Sequence, residues 1–407
     1  MENNFLFGAS TSSHQVEGDT HNDWTAWEVK KAKEFARRAA SRSWPDHILN
    51  NFPNPLQEEN YISGRACDHY HRFREDFDLA KSLGHTAHRF SIEWSRIEPE
   101  EGRFDEREIE HYREVVTALR ERDMEPFVTL WHYTLPVWLA EKGGVMNRRF
   151  PEYFARYAEQ MSRALKDVSF WMTINEPEIV AIYAYSKGTR PPQKRGMLSF
   201  YQSMSRMIRA HCLAYRSIKS VAPESHVGAA MHMSWFESAG GPVNNCLKYL
   251  VDRFGNFYFL DRAVMHSDFI GLNHYGHNRI DWGFNKNGNK EMTDVGWEIY
   301  PESIYRVLQQ LRKYDMPIYI TENGLADARD DKRASFIERY LEYVKKAMDD
   351  GVDVHGYLHW SLLDNFEWDS GFWPRFGLVE IDYRTLGRRV RPSALVYKRV
   401  IETWHEK

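Results

Sequence analysis

The strongest constraint on how this chain can fold is an alternation that repeats along its length. Short apolar or β-branched runs of strand length are followed by longer stretches of helical period. The strand candidates are Phe5–Ser10, Thr86–Ile92, Pro126–His132, Phe170–Asn175, His226–His232, Asp268–Tyr275, Ile318–Asn323 and Val354–Trp360, eight in all. Between them, apolar residues recur every three or four positions. Tyr70, Phe73, Phe77, Ala80 and Leu83 make one helical face, and Gly84 follows where a helix C-cap is expected. Segments Arg107–Arg122, Pro151–Lys166, Ser199–Val221, Pro301–Tyr314 and Lys332–Asp350 have the same period. Strands alternating with helices predict a parallel sheet. Eight such units predict an α/β chain folded as a single (β/α)8 TIM barrel over residues 1–407. On periodicity alone, an open doubly wound sheet is the alternative.

The polar residues separate the two. In a barrel, catalytic groups gather at the C-terminal ends of the strands. His132, Asn175, Glu176, Asn273, Tyr275, Glu322 and Trp360 all stand at such ends. A barrel brings them to one face, whereas an open sheet spreads them along a line. The stretch Thr20–Ala66, with Pro45, Pro53, Pro55 and several Asn, reads as a long loop and short helix over the barrel top.

A net charge of -4 gives no reason to expect nucleic acid or an anionic membrane as partner. No apolar run reaches membrane-spanning length. The cysteines Cys67, Cys212 and Cys246 are sparse and lack CxxC spacing, which fits a reducing compartment. Met1–Ser10 lacks a basic region followed by an apolar one, so a cytoplasmic location is expected. With neither a HExxH pattern nor a Gly-rich phosphate loop, no metal and no cofactor is expected. Aromatic residues make up 14% of the chain, which suits both a large core and a site where sugar rings stack.

Glu176 and Glu322 carry the chemical argument. Cleaving a glycosidic bond takes one carboxylic acid to protonate the leaving oxygen and a second carboxylate beyond the anomeric carbon. If the second attacks directly, the two stand about 5–5.5 Å apart and configuration is retained. The two glutamates close the fourth and seventh predicted strands, which face each other across a barrel mouth. A carboxylate directly after a buried strand is costly unless it is used or paired.

Around these residues the chain resembles glycoside hydrolase family 1, the β-glucosidase and β-galactosidase family, nearly end to end. Thr173–Pro177 (TINEP) resembles its acid/base motif, and Ile320–Gly324 (ITENG) its nucleophile motif. Phe7–Gly18, Arg89–Ile97, His359–Trp368 and Pro374–Tyr383 resemble its first-strand, second-strand and last-strand signatures. The resemblance implies a retaining β-glycosidase, a β-glucosidase first, with β-galactosidase or β-fucosidase activity on the same site. Glu176 would be the acid/base and Glu322 the nucleophile. Gln15, His132, Asn175 and Glu367 would hold sugar hydroxyls, Trp360 would stack under the ring, and Trp368 would offer its indole N–H. Tyr275 would bond Glu322, Arg89 would sit near both glutamates and keep Glu322 ionised, and Asn273 would support the acid/base. Phe376 would close the apolar wall, and Trp297 would stand at the leaving-group side. Glu176 is expected to hold its proton above the ordinary range, raised by Glu322.

The chain departs from the family pattern in two places. His132-Tyr133-Thr134 stands where His-Trp-Asp is common, and Asn273-His274-Tyr275 where Asn-Tyr-Tyr is common. The partner implied is a small β-glycoside or short oligosaccharide. Rival readings are a transglycosylase, a 6-phospho-β-glycosidase (disfavoured because Glu367 would repel phosphate) and a non-catalytic sugar-binding barrel. Preferred sugar and oligomeric state stay open.

Overall fold

The computed structural model describes residues 5–404. Met1–Asn4, at the start of the segment read as lacking a leader, and His405–Lys407, at the end of the 1–407 domain, lie outside the described residues.

Eight parallel strands close into a barrel: β1 (Leu6–Ser10), β2 (Ala87–Ser91), β3 (Glu125–Trp131), β4 (Phe170–Asn175), β5 (His226–His232), β6 (Ile270–Asn273), β7 (Ile318–Asn323) and β8 (Val354–Trp360). They are hydrogen-bonded in chain order, with β1 between β2 and β8, so the sheet has no free edge. The eight runs expected from the sequence are these strands, with ends trimmed by one or more residues at several of them. The sixth shrinks most, because the chain leaves the sheet after Asn273, and His274 and Tyr275 fall in the loop that follows.

A plug of side chains fills the lower barrel. Ala87, Phe127, Met172, Ala230, Phe269 and Leu358 form one buried cluster, flanked by Leu6, Phe170 and Tyr319. Phe127 stacks on Phe170 at 4.4 Å and meets Tyr319 at 5.2 Å. Each strand contributes at or beside this layer, so the interior is solid below and free for polar groups above. A second, larger core lies between the strands and the outer helices. The helix Phe150–Ala164 shows why. Pro151 fits its first turn, and Tyr153, Phe154, Tyr157, Ala158 and Met161 bury one face.

The structure corrects the reading of Thr20–Ala66. Asp23–Ala39 is a helix of 17 residues. Its start is fixed by reciprocal capping: Asn22 accepts from the Trp24 and Thr25 backbone, and the Thr25 hydroxyl accepts from the Asn22 backbone. Trp24, Trp27, Glu28, Ala32 and Ala36 bury one face of it. Further down the chain, Val379–Asp382 and Gly387–Val390 pair as a hairpin, and Trp235–Ser238 pairs in parallel with His277–Ile280. Among the described residues no helix is long and apolar enough to cross a membrane.

The loop after β8 is anchored by one buried carboxylate. Asp364 accepts from Arg391 at 2.8 and 2.9 Å, and Arg375 lies 3.6 Å away. All three side chains are buried. Burial by itself would raise the Asp364 carboxyl, but the two guanidinium groups draw it down. Asp364→Ala leaves two buried cations without their partner and should cost about 3–5 kcal/mol in urea unfolding. A loss below about 1 kcal/mol would show that the loop does not depend on this pair.

Candidate active site

A cleft of about 710 Å³ opens at the C-terminal ends of the strands. Gln15, His132, Asn175, Glu176, Tyr275 and Glu322 line it, as do Trp297, Trp360, Glu367, Trp368 and Phe376. Arg89 and Asn273 do not line it; they are buried behind the wall and reach the others through hydrogen bonds.

Glu322 lies inside β7 and is 4% exposed. Arg89, on β2, donates to its Oε1, and the Tyr275 hydroxyl donates to its Oε2 at 2.7 Å. Gly324 follows for a steric reason: a Cβ there would lie 1.8 Å from the Trp360 carbonyl oxygen. That close approach holds β7 against the end of β8, where Trp360 packs with Phe376 and Tyr275. Trp297 sits 5.5 Å from Tyr275 and 6.1 Å from Phe376, at the cleft rim, and is 40% exposed.

Glu176 follows β4 and is 6% exposed. Its φ of 46° turns the chain sharply, and Pro177 starts the next helix. Asn273 donates to Oε1 at 3.1 Å, His232 contacts the same oxygen at 3.3 Å, and the Tyr133 hydroxyl donates to Oε2. The resemblance implies an Arg89 near both glutamates, and of the two it bonds Glu322 directly. It donates to Glu322 and, at 2.6 Å, to Asn175 Oδ1, and reaches Glu176 only through the amides. Asn175 Oδ1 also accepts from Asn273 at 3.1 Å, and Asn175 Nδ2 meets His132 at 3.1 Å.

The third group of polar residues surrounds Gln15. Its amide donates to Asn365, to the Phe366 carbonyl and, at 3.3 Å, to Glu367. Trp368 stacks near-parallel to His132 at 5.9 Å and to His14 at 5.5 Å. Tyr133 and His232 join the site without being marked as site residues by the sequence. His232 ends β5, the same strand-end signal that marks the others, and Tyr133 follows directly on His132.

Two buried carboxyls in one cleft titrate as a pair. Burial pushes Glu322 up, to about 7, against Arg89, and Glu176 adds to the rise. At Glu176 burial is outweighed by His232, Tyr133 and Asn273, which draw it down to about 2. This reverses the proton placement expected from the sequence. The contact with His232 does the most to offset burial at Glu176. A guanidinium keeps its charge throughout the working range of a protein. The Arg89 guanidinium therefore favours an ionised Glu322, and Glu176, which has no such fixed cation bonded to it, is the carboxyl left to take the pair's shared proton.

Glu367 is pushed up to about 8 by burial and by the Glu322, Asp369 and Glu176 carboxylates, against Arg190. A carboxyl whose folded pKa is raised stabilises the fold below its unfolded pKa, and that contribution is lost as pH rises through the folded value. The wild type should therefore lose more than about 1 kcal/mol relative to Glu367→Gln between pH 5 and pH 9, read by denaturant unfolding. Parallel pH profiles for the two proteins would show that Glu367 ionises normally.

The sequence profile of Glycosyl hydrolase family 1 matches residues 1–265 and 243–406. A 1,4-β-D-glucan glucohydrolase of Thermotoga neapolitana is 30% identical over 448 aligned positions, covering 98% of this chain and 97% of the relative. β-Glucosidase A of Thermotoga maritima is likewise 30% identical, with the same coverage. Among solved structures, a β-glycosidase from Pyrococcus horikoshii superposes with a TM-score of 0.86 at 34% identity, covering 98% of this chain and 94% of the other. The β-glucosidase from Thermotoga maritima in complex with glucoimidazole superposes with a TM-score of 0.85 at 29% identity, covering 98% of both chains. By its barrel, its strand-end carboxylates and these end-to-end matches, the chain belongs to glycosyl hydrolase family 1.

Proposed function

We propose that this chain is a retaining β-glucosidase in which Glu322 is the nucleophile and Glu176 the acid/base. The observation that carries the assignment is the asymmetry of the two buried carboxylates. Both face one cleft, but Glu322 is bonded to a fixed cation and a phenol, while Glu176 is bonded to neutral or titratable groups. A nucleophile must stay ionised, whereas an acid/base must change state twice per turnover.

In the first step Glu176 gives its proton to the leaving oxygen while Glu322 attacks the anomeric carbon. The C–O bond to the leaving group breaks and a glycosyl-enzyme forms. Bonding neutralises Glu322, which removes its repulsion and lowers the proton affinity of Glu176 relative to the free pair. In the second step Glu176 takes a proton from water, and the hydroxide displaces Glu322 with the β configuration restored. Gln15, His132, Asn175 and Glu367 hold the sugar hydroxyls in this reading, with Trp360 beneath the ring and Trp368 beside it. A neutral His132 suits that role, since burial and Arg89 keep its imidazole uncharged. Tyr275 and Arg89 hold Glu322, Asn273 holds Glu176, and Trp297 and Phe376 border the leaving-group side.

The substrate is a small β-glucoside or short oligosaccharide, and residues 1–407 act as one catalytic unit. Glucose as preferred sugar is supported by the names of the relatives above. A cytoplasmic setting is supported by the three cysteines, all of them free.

The test is hydrolysis of 4-nitrophenyl β-D-glucoside with the released anomer followed by NMR. The wild type should release the β-anomer first. Glu176→Gln should lower kcat/KM by about 10²–10⁴ for leaving groups that need protonation. Glu322→Gln should lose at least as much with every leaving group. Initial release of the α-anomer, or an active Glu322→Gln, would overturn the assignment.

A further inference from the structure

Tyr133 stands in an unusual backbone conformation for a bulky residue. Its φ is 75°, in the left-handed region that side chains with a Cβ rarely adopt. That turn is held by packing: the ring lies 4.7 Å from Trp368 and joins the cluster of Trp24 and Trp27 under the Asp23–Ala39 helix. The result aims the phenol into the cleft, where Glu176 Oε2 is its one hydrogen-bond partner among the described residues. Such conformations persist where surrounding structure over-determines them, and they cluster at functional sites.

The other oxygen of Glu176 is already claimed. Oε1 accepts from the Asn273 amide, which can only donate through Nδ2, and faces His232. The mobile proton of the carboxyl therefore belongs on Oε2, beside Tyr133. A phenol hydroxyl both donates and accepts. It can meet either state of this oxygen by rotating its own hydrogen. Burial, and after it the Glu176 carboxylate, holds the phenol proton far above its ordinary range, so the hydroxyl stays intact. The other charged groups near this pair are Glu322 across the cleft, Arg190 beside the phenol, and Glu178 just beyond Glu176 in the chain.

We propose that Tyr133 is the positioning residue for the catalytic proton: its hydroxyl accepts from Glu176 Oε2 while the carboxyl is protonated and donates to it once the proton has gone. The inference rests on Glu176 being the acid/base. In the forward step the Oε2 hydrogen swings from Tyr133 to the leaving oxygen and is transferred there, and Tyr133 turns to donate to the carboxylate left behind. When water attacks, its proton returns to Oε2 and the tyrosine accepts again. Tyr133 undergoes no net change. It keeps the same oxygen aimed at the reacting bond in both half-reactions.

The test compares Tyr133→Phe with the wild type on two aryl glucosides of similar size. Phenyl β-D-glucoside has a basic leaving group that needs the proton. 2,4-Dinitrophenyl β-D-glucoside departs as a stable anion. The expected result is a fall in kcat/KM at least about tenfold larger for the phenyl substrate. Tyr133→Trp, which keeps a donor but cannot accept, should show the same imbalance. Equal losses on both substrates in Tyr133→Phe, or no loss on either, would overturn the proposal and leave Tyr133 a packing residue. A wild type that turns over neither substrate would instead overturn the glucosidase reading, and this proposal with it.

Discussion

Arg89 is the group on which the site depends. It lies on β2, wholly buried, and its guanidinium spans the barrel interior to meet Glu322 on β7, Asn175 on β4 and Thr129 on β3. A buried cation of this kind costs much desolvation energy unless it is paired and hydrogen-bonded. Here Nε, Nη1 and Nη2 all have partners. The same bonds set the orientation of Glu322 and of the amide beside Glu176. Four strands far apart in sequence are thereby held to one geometry.

From Arg89 the polar network runs outward through two amides. Asn175 joins it to His132, and Asn273 joins Asn175 to Glu176 and accepts from the Thr321 hydroxyl at 2.7 Å. Each amide oxygen and nitrogen is placed by neighbours, which fixes which end points where. The two carboxylates thus sit in one network with different surroundings. Glu322 faces a charge that never titrates. Glu176 faces a phenol, an amide and an imidazole, surroundings that suit the acid/base role proposed for it.

The architecture supports this by separating tasks along the barrel axis. Below, the plug around Phe127 and Phe170 is apolar and tightly stacked. Above it the strand ends carry the polar network, and the mouth is walled by loops and by the Asp23–Ala39 helix, whose Trp24 backs Trp368 at 4.7 Å. The last strand is steadied from outside by Asp364 with Arg391 and Arg375, and Gln15 ties the following loop to the first. Aromatic rings on the mouth therefore have fixed backing, which a stacking surface needs.

Much of this was legible in the chain itself. The alternation of strand and helix periods calls for a parallel sheet covered by helices, and the polar residues gathered at its strand ends favour closure into a barrel. The position of Glu176 and Glu322 directly at strand ends marks them, because a charge there is costly without a use. The Asp23–Ala39 helix was obscured by the polar and Pro-rich stretch around it, although Asn22 and Thr25 spell its cap. What only the tertiary structure decided is which groups meet. Tyr133 follows β3 and His232 ends β5, and no spacing in the sequence says that both reach Glu176. Nor does it say that Arg89 serves Glu322 and Asn175 and not Glu176. Such contacts depend on side-chain direction across a closed barrel and on the competition for each oxygen's lone pairs, and both are set in three dimensions, where residues 40 to 233 positions apart become neighbours.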